Sequence, residues 1–147
     1  MKRSLAAILF VAVSASAFAQ MSPAGLWKTI DDETKKEKSL VRIKEVNGVF
    51  SGTVDRFLDP TTKLDDVCEK CTDERKDKPV LGMTIIRNIK ASADDKGIWD
   101  GGDILDPNNG KVYRAKARLA EGGRQLEVRG FIGIALFGRT QTWLREQ

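Results

Sequence analysis

The stretch Lys111-Val112-Tyr113-Arg114-Ala115-Lys116-Ala117-Arg118-Leu119 alternates along its length. Tyr113, Ala115, Ala117 and Leu119 fall on one face, and Arg114, Lys116 and Arg118 on the other. A period of two is the pleat of a β-strand with one side in a core and the other in water. Before it stands Asp106-Pro107-Asn108-Asn109-Gly110 and after it Glu121-Gly122-Gly123, both turns by their chemistry.

Working outward, the same grammar repeats. Gly25–Ile30, Leu40–Val46, Val49–Phe57, Met83–Lys90, Gly97–Leu105, Gln125–Phe131 and Gly138–Arg145 are short apolar or alternating pieces. Asn47-Gly48 separates two of them, and Asn-Gly suits a two-residue type I′ turn because both positions need positive φ. No segment of ten or more residues carries a helical period. The expectation is all-β: one domain over residues 20–147, a single eight-stranded antiparallel up-and-down barrel, with a β-sandwich as the alternative. Eight strands can close, which removes exposed edges. They leave an interior that side chains fill or that holds one small ligand.

The N-terminus is an address. Lys2 and Arg3 precede an uncharged run from Leu5 to Phe18, then Ala17-Phe18-Ala19-Gln20. This is the form of a secretory signal peptide cut after Ala19, which places the mature protein in the periplasm or outside the cell. No later stretch approaches the roughly 20 apolar residues of a membrane span. The 147 residues carry a net charge of +4, and losing Lys2 and Arg3 reduces it to +2. The clusters Lys35-Lys36-Glu37-Lys38 and Arg75-Lys76-Asp77-Lys78 are interrupted by acids and read as solvated loops, so no nucleic-acid partner is expected. The sequence contains no histidine, which excludes Ser–His–Asp triads, His-paired nucleophiles and His-ligated zinc.

Gly25-Leu26-Trp27 near the start and Arg139-Thr140-Gln141-Thr142-Trp143-Leu144-Arg145 at the end resemble the lipocalin/calycin pattern. That resemblance implies a lipocalin-like barrel, with the tryptophan plugging its closed end and an arginine packed on the indole. Arg139 and Arg145 are both candidates for this cap. Together with Cys68-x-x-Cys71, Gly101-Gly102-Asp103-Ile104-Leu105-Asp106-Pro107, Gly110-Lys111-x-Tyr113, Arg129-Gly130-Phe131-Ile132-Gly133 and Phe137-Gly138-Arg139, the chain is similar to a bacterial exported family, domain of unknown function number 2147. The resemblance supplies no catalytic residue.

Several elements invite a chemical reading. In an exported chain, Cys68-Glu69-Lys70-Cys71 reads as a local disulfide, against a thiol-redox enzyme or half of a metal site. Around it, Leu58–Val80 is a long polar connection, either a lid on the barrel mouth or a solvated excursion. Phe131-Ile132-Gly133-Ile134-Ala135-Leu136-Phe137 is the most apolar stretch of the mature chain. It either folds inward or forms a lip facing a ligand, a membrane or a second subunit. Asp103, Asp106 and Asn108 invite a calcium reading, but they lack the spacing and the bidentate Glu of an EF-hand, and a hairpin turn explains them adequately. The small residues Ala115 and Ala117, with Gly101 and Gly130 nearby, point to an open interior. Trp99 and Tyr113 would be its polar handles, and Phe131 and Phe137 its apolar border. The expected function is binding of a small apolar molecule, with no catalytic residue, metal or cofactor. The alternative is a packed barrel that serves as an interaction module of the cell envelope. The oligomeric state is open.

Overall fold

A computed structural model of the protein describes residues 21–134 and 136–146; the expected signal peptide, Met1–Ala19, lies outside the described residues. Eight strands follow one another: β1 (Gly25–Ile30), β2 (Glu37–Val46), β3 (Val49–Phe57), β4 (Thr84–Ala91), β5 (Ile98–Asp106), β6 (Lys111–Ala120), β7 (Gln125–Phe131) and β8 (Gly138–Glu146). Each pairs with its sequence neighbour, and β8 returns to β1 through Trp27↔Arg145, so the sheet is a closed barrel and not a sandwich. The turn at Asn47-Gly48 has φ of 51° and 79°, the left-handed pair that a type I′ hairpin demands. Strand β2 begins at Glu37, earlier than its apolar pattern. Its polar start is held by Ser39 pairing with Thr29 and by a 2.9 Å ion pair between Lys28 and Glu37. Among the described residues no helix is long and apolar enough to cross a membrane.

Up-and-down connectivity sorts the loops by end. Residues 21–24, 47–48, 92–97 and 121–124 gather at one end, and residues 31–36, 58–83, 107–110 and 132–137 at the other. The first end is closed. Trp27 is fully buried, and its indole N–H donates to the Pro23 carbonyl at 2.7 Å. The Arg145 guanidinium lies 4.2 Å from the centre of the Trp27 ring. The same group donates to three carbonyls, of Gly123, Ala24 and Ser22, at 2.7, 2.9 and 3.0 Å. Of the two candidates for the cap, Arg145 takes the role. Arg139 does not, because it lies three inward positions up β8 toward the other end. Gly25 is required here: its φ is +143°, and a Cβ would stand 2.6 Å from an Arg145 nitrogen.

The long connection between β3 and β4 does not line the barrel interior, and although most of it is exposed it is anchored at a few buried points. It folds down the outside of β4 and β5. Cys68 and Cys71 are disulfide-bonded and 0% and 2% exposed. Leu105 is opposite Val112, which is 43% exposed, yet is itself only 2% exposed, and it belongs with the two cysteines to the buried core. Arg75 is buried, donates to the Thr84 carbonyl at 2.9 Å and forks onto Asp73. That fork holds the Asp73 carboxyl down at about 2. A 2.6 Å pair between Glu74 and Arg87 ties the loop to β4. A Cβ on Gly110 would overlap the Lys70 carbonyl at 1.9 Å, so the β5–β6 turn and the disulfide loop are in direct contact. With both sulfurs in the bond, this disulfide is part of the core. Replacing both cysteines by serine should cost about 2 kcal/mol or more, from lost loop closure and two buried hydroxyls. Amide exchange should rise across residues 58–83 while β6 to β8 stay protected.

Candidate functional site

The barrel is solid at its closed end and hollow at its open end. Around Ala115 and Ala117 the interior is filled by Phe50, Ile86 and Ile89 from β3 and β4 and by Leu126 from neighbouring β7, leaving a void of about 10 Å³. Trp99 closes this region, edge-on to Phe50 at 6.4 Å between ring centres. Toward the open end lies a cavity of about 590 Å³, within the range of small-molecule sites. A packed barrel therefore describes only the lower half.

Residues near the ends of seven of the eight strands build this cavity. Trp143 and Val128 lie deepest, Ile104, Tyr113 and Gly130 form one wall, and Thr29 and Ser39 stand opposite. The Thr29 and Ser39 hydroxyls bond each other at 2.9 Å, which satisfies the buried Thr29 hydroxyl and its half-buried partner without a ligand. A polar chain climbs the β8 wall. The Trp143 indole N–H donates to the Gln141 side chain at 2.9 Å, and the Gln141 amide donates to Asp32 at 3.4 Å. Arg139 then grips Asp32 with two bonds, at 2.9 and 2.6 Å. Burial works to raise the Asp32 carboxyl, but the Arg139 and Gln141 hydrogen bonds outweigh it and hold it below its ordinary value of 3.8. Lys38, at the rim, pairs with Asp59 at 2.6 Å. Its hydrogen bond, with those from Thr61, holds that carboxyl far below the usual range.

Because Asp32 is more acidic folded than unfolded, its tie to Arg139 contributes above pH about 4 and fades as pH falls through the folded pKa. Thermal melts of the wild type and Asp32→Asn from pH 7 to 2.5 should differ by about 0.5–1 kcal/mol at neutral pH, as the pair is half exposed. The two curves should converge in acid.

A family model described as "Uncharacterized protein conserved in bacteria (DUF2147)" matches residues 25–145. The chain belongs to this family. A solved structure described as "Protein HP1028 from the human pathogen Helicobacter pylori belongs to the lipocalin family" is similar to this DUF2147 chain, with a TM-score of 0.72 and 19% identity. The match covers 86% of this chain and 84% of that one, and at such identity it shows a shared fold. No curated protein matches the chain.

Within this DUF2147 barrel the six residues expected to meet a ligand divide by layer. Tyr113, Phe131 and Phe137 line the cavity, whereas Trp99, Ala115 and Ala117 belong to the filled half below it. Phe131 is buried, with the Arg114 guanidinium 5.8 Å from the centre of its ring. From Ile132 onward the apolar segment emerges: Ile132, Ile134, Leu136 and Phe137 are 60–76% exposed. Burial therefore stops at Phe131, and the rest is a lip on the opening. Sequence reasoning missed Thr29, Ser39, Gln141 and the cavity role of Trp143. The alternation Arg139, Gln141, Trp143, Arg145 was the available signal, since one inward column on β8 supplies wall, floor and cap.

Of the calcium-like residues, Asp106 and Asn108 form the β5–β6 turn, and Asp103 lies within β5, paired with Arg87 and Arg114. The Asp106 side chain accepts the Asn108 N–H at 2.9 Å and its carbonyl accepts the Gly110 N–H at 2.8 Å. Among the described residues no group of three or more acidic or sulfur side chains is placed to hold a metal ion.

Proposed function

We propose that this protein binds a small, neutral, mostly apolar molecule in its open-end cavity, outside the cytoplasm, and that it works by binding and not by catalysis. The observation that carries this reading is the 590 Å³ cavity bordered by Ile104, Val128, Phe131 and Trp143. A cavity of that size, with Trp143 and Val128 at its floor and its charged groups confined to the rim, suits a small ligand. Neutrality follows from the rim. Arg139 is engaged by Asp32 and Glu33, and Lys38 by Asp59, so a ligand carboxylate would have to displace an existing partner. The polar end of the ligand would meet Tyr113, whose hydroxyl oxygen accepts from Asn109 at 3.0 Å and keeps its own proton to donate. Export is supported by the form of Met1–Ala19 and by a buried disulfide, which an oxidising compartment maintains.

Native mass spectrometry of the protein purified without detergent, before and after solvent extraction, tests the reading. Titration with the neutral fluorophore N-phenyl-1-naphthylamine completes the test. We expect an extractable added mass, or one saturable probe site with Trp143 quenched. A clean apo mass together with no probe binding would refute the proposal.

A further inference from the structure

The segment between β7 and β8 is the largest feature that ligand binding leaves unexplained. From Phe131 to Phe137 it contains no polar side chain. Four large apolar groups, Ile132, Ile134, Leu136 and Phe137, nonetheless stand in solvent, with Leu136 76% exposed. Exposed apolar groups scattered singly mean little, but a contiguous tip marks a contact surface. Cations accompany it. On the outer wall directly below the tip, Arg114 pairs in register with Phe131, and Lys116 with Arg129. Arg129 reaches up to the Leu136 carbonyl at 3.1 Å, which binds the basic patch to the tip. Asp103, across from Arg114 on β5, is the one acid in register with these three.

We propose that this lip inserts into the surface of a bilayer bearing anionic headgroups, with Arg114, Lys116 and Arg129 resting on the headgroups. An apolar tip backed by cations is complementary to that surface, because the side chains enter the acyl boundary while the charges stay at the interface. A second copy of the chain fits less well. A stable protein interface engages roughly 20–30 residues a side, far more than one short loop offers, and like-charged patches would then face each other. Docked this way, the barrel turns its opening to the membrane. The proposal does not depend on whether the cavity holds a ligand.

Co-sedimentation of the detergent-free protein with vesicles tests it, comparing phosphatidylcholine alone with a 3:1 mixture of phosphatidylcholine and phosphatidylglycerol. Binding should favour the anionic vesicles and weaken with salt. The double variant Ile134→Ser, Leu136→Ser removes two exposed side chains that do not line the cavity, so it should fold normally and lose binding about ten-fold or more. Arg114→Gln with Lys116→Gln should lose about five-fold per cation at low salt. Wild type that ignores both vesicles, or binding unchanged in the Ile134/Leu136 variant, would overturn the proposal. So would a concentration-dependent dimer that only this variant abolishes, since that would give the lip to a second copy.

Discussion

Trp27→Ala should be the most damaging single substitution in this barrel, with a loss of about 3–5 kcal/mol. The indole is fully buried in the layer with Val41 and Val54, and nothing small can close the hole from the sealed end. The damage extends beyond volume. Pro23 loses its indole donor, and Arg145 loses the ring on which it lies. Burial already pulls the Arg145 guanidinium below its ordinary pKa, so that group is held by its surroundings and not by bulk water. A domain of this size has a total stability of about 5–15 kcal/mol, so the change removes at least about a fifth of it. The melting temperature should drop by more than about 10 °C. Arg145→Lys should recover little, because one ammonium cannot serve three carbonyls and an aromatic face together. If Arg145→Lys melted within 2–3 °C of wild type, the guanidinium would not be the element that seals the barrel.

The cap also shows which parts of the molecule a sequence reveals. Alternation and turn chemistry are local, so all eight strands were legible, and β1, β3 and β7 were legible to the residue. The side that each face of β6 takes was legible too, since Arg114 and Arg118 are exposed while Ala115 and Ala117 are buried. Height along the barrel was not, because it depends on register between strands far apart in the chain. Arg139 and Arg145 share a parity, and only the pairing Trp27↔Arg145 places the second at the tryptophan. The two alanines suggested space, yet Phe50 and Ile86 enter that space from the opposite wall. The disulfide loop looked polar and long, hence a lid or a solvated excursion. Its anchors are a short bonded pair of cysteines and a buried Arg75–Asp73 fork, and these carry no hydrophobic signal.

The same vertical division gives the sharpest test of the site, through two substitutions on one rung. Gly130 and Ala115 are register partners, but Gly130 borders the open cavity and Ala115 the filled half. A Cβ at Gly130 would come within 3.3 Å of the Tyr113 Cβ, a contact that a slight shift relieves, and the rest of a leucine would project into free volume. Gly130→Leu should therefore keep the fold and weaken binding of N-phenyl-1-naphthylamine at least thirty-fold by occupying its space. Ala115→Leu meets Phe50 and Ile86 with nowhere to go, so it should cost about 1–3 kcal/mol as overpacking. The affinity of each folded molecule should stay near wild type. Chemical denaturation and probe titration of both variants read the two axes separately. The reverse pattern, with binding lost at Ala115 and kept at Gly130, would move the ligand to the closed half and refute the site. Stability and recognition are thus expected to separate along the barrel axis, because the fold uses one half of its interior to hold itself together and leaves the other half unfilled.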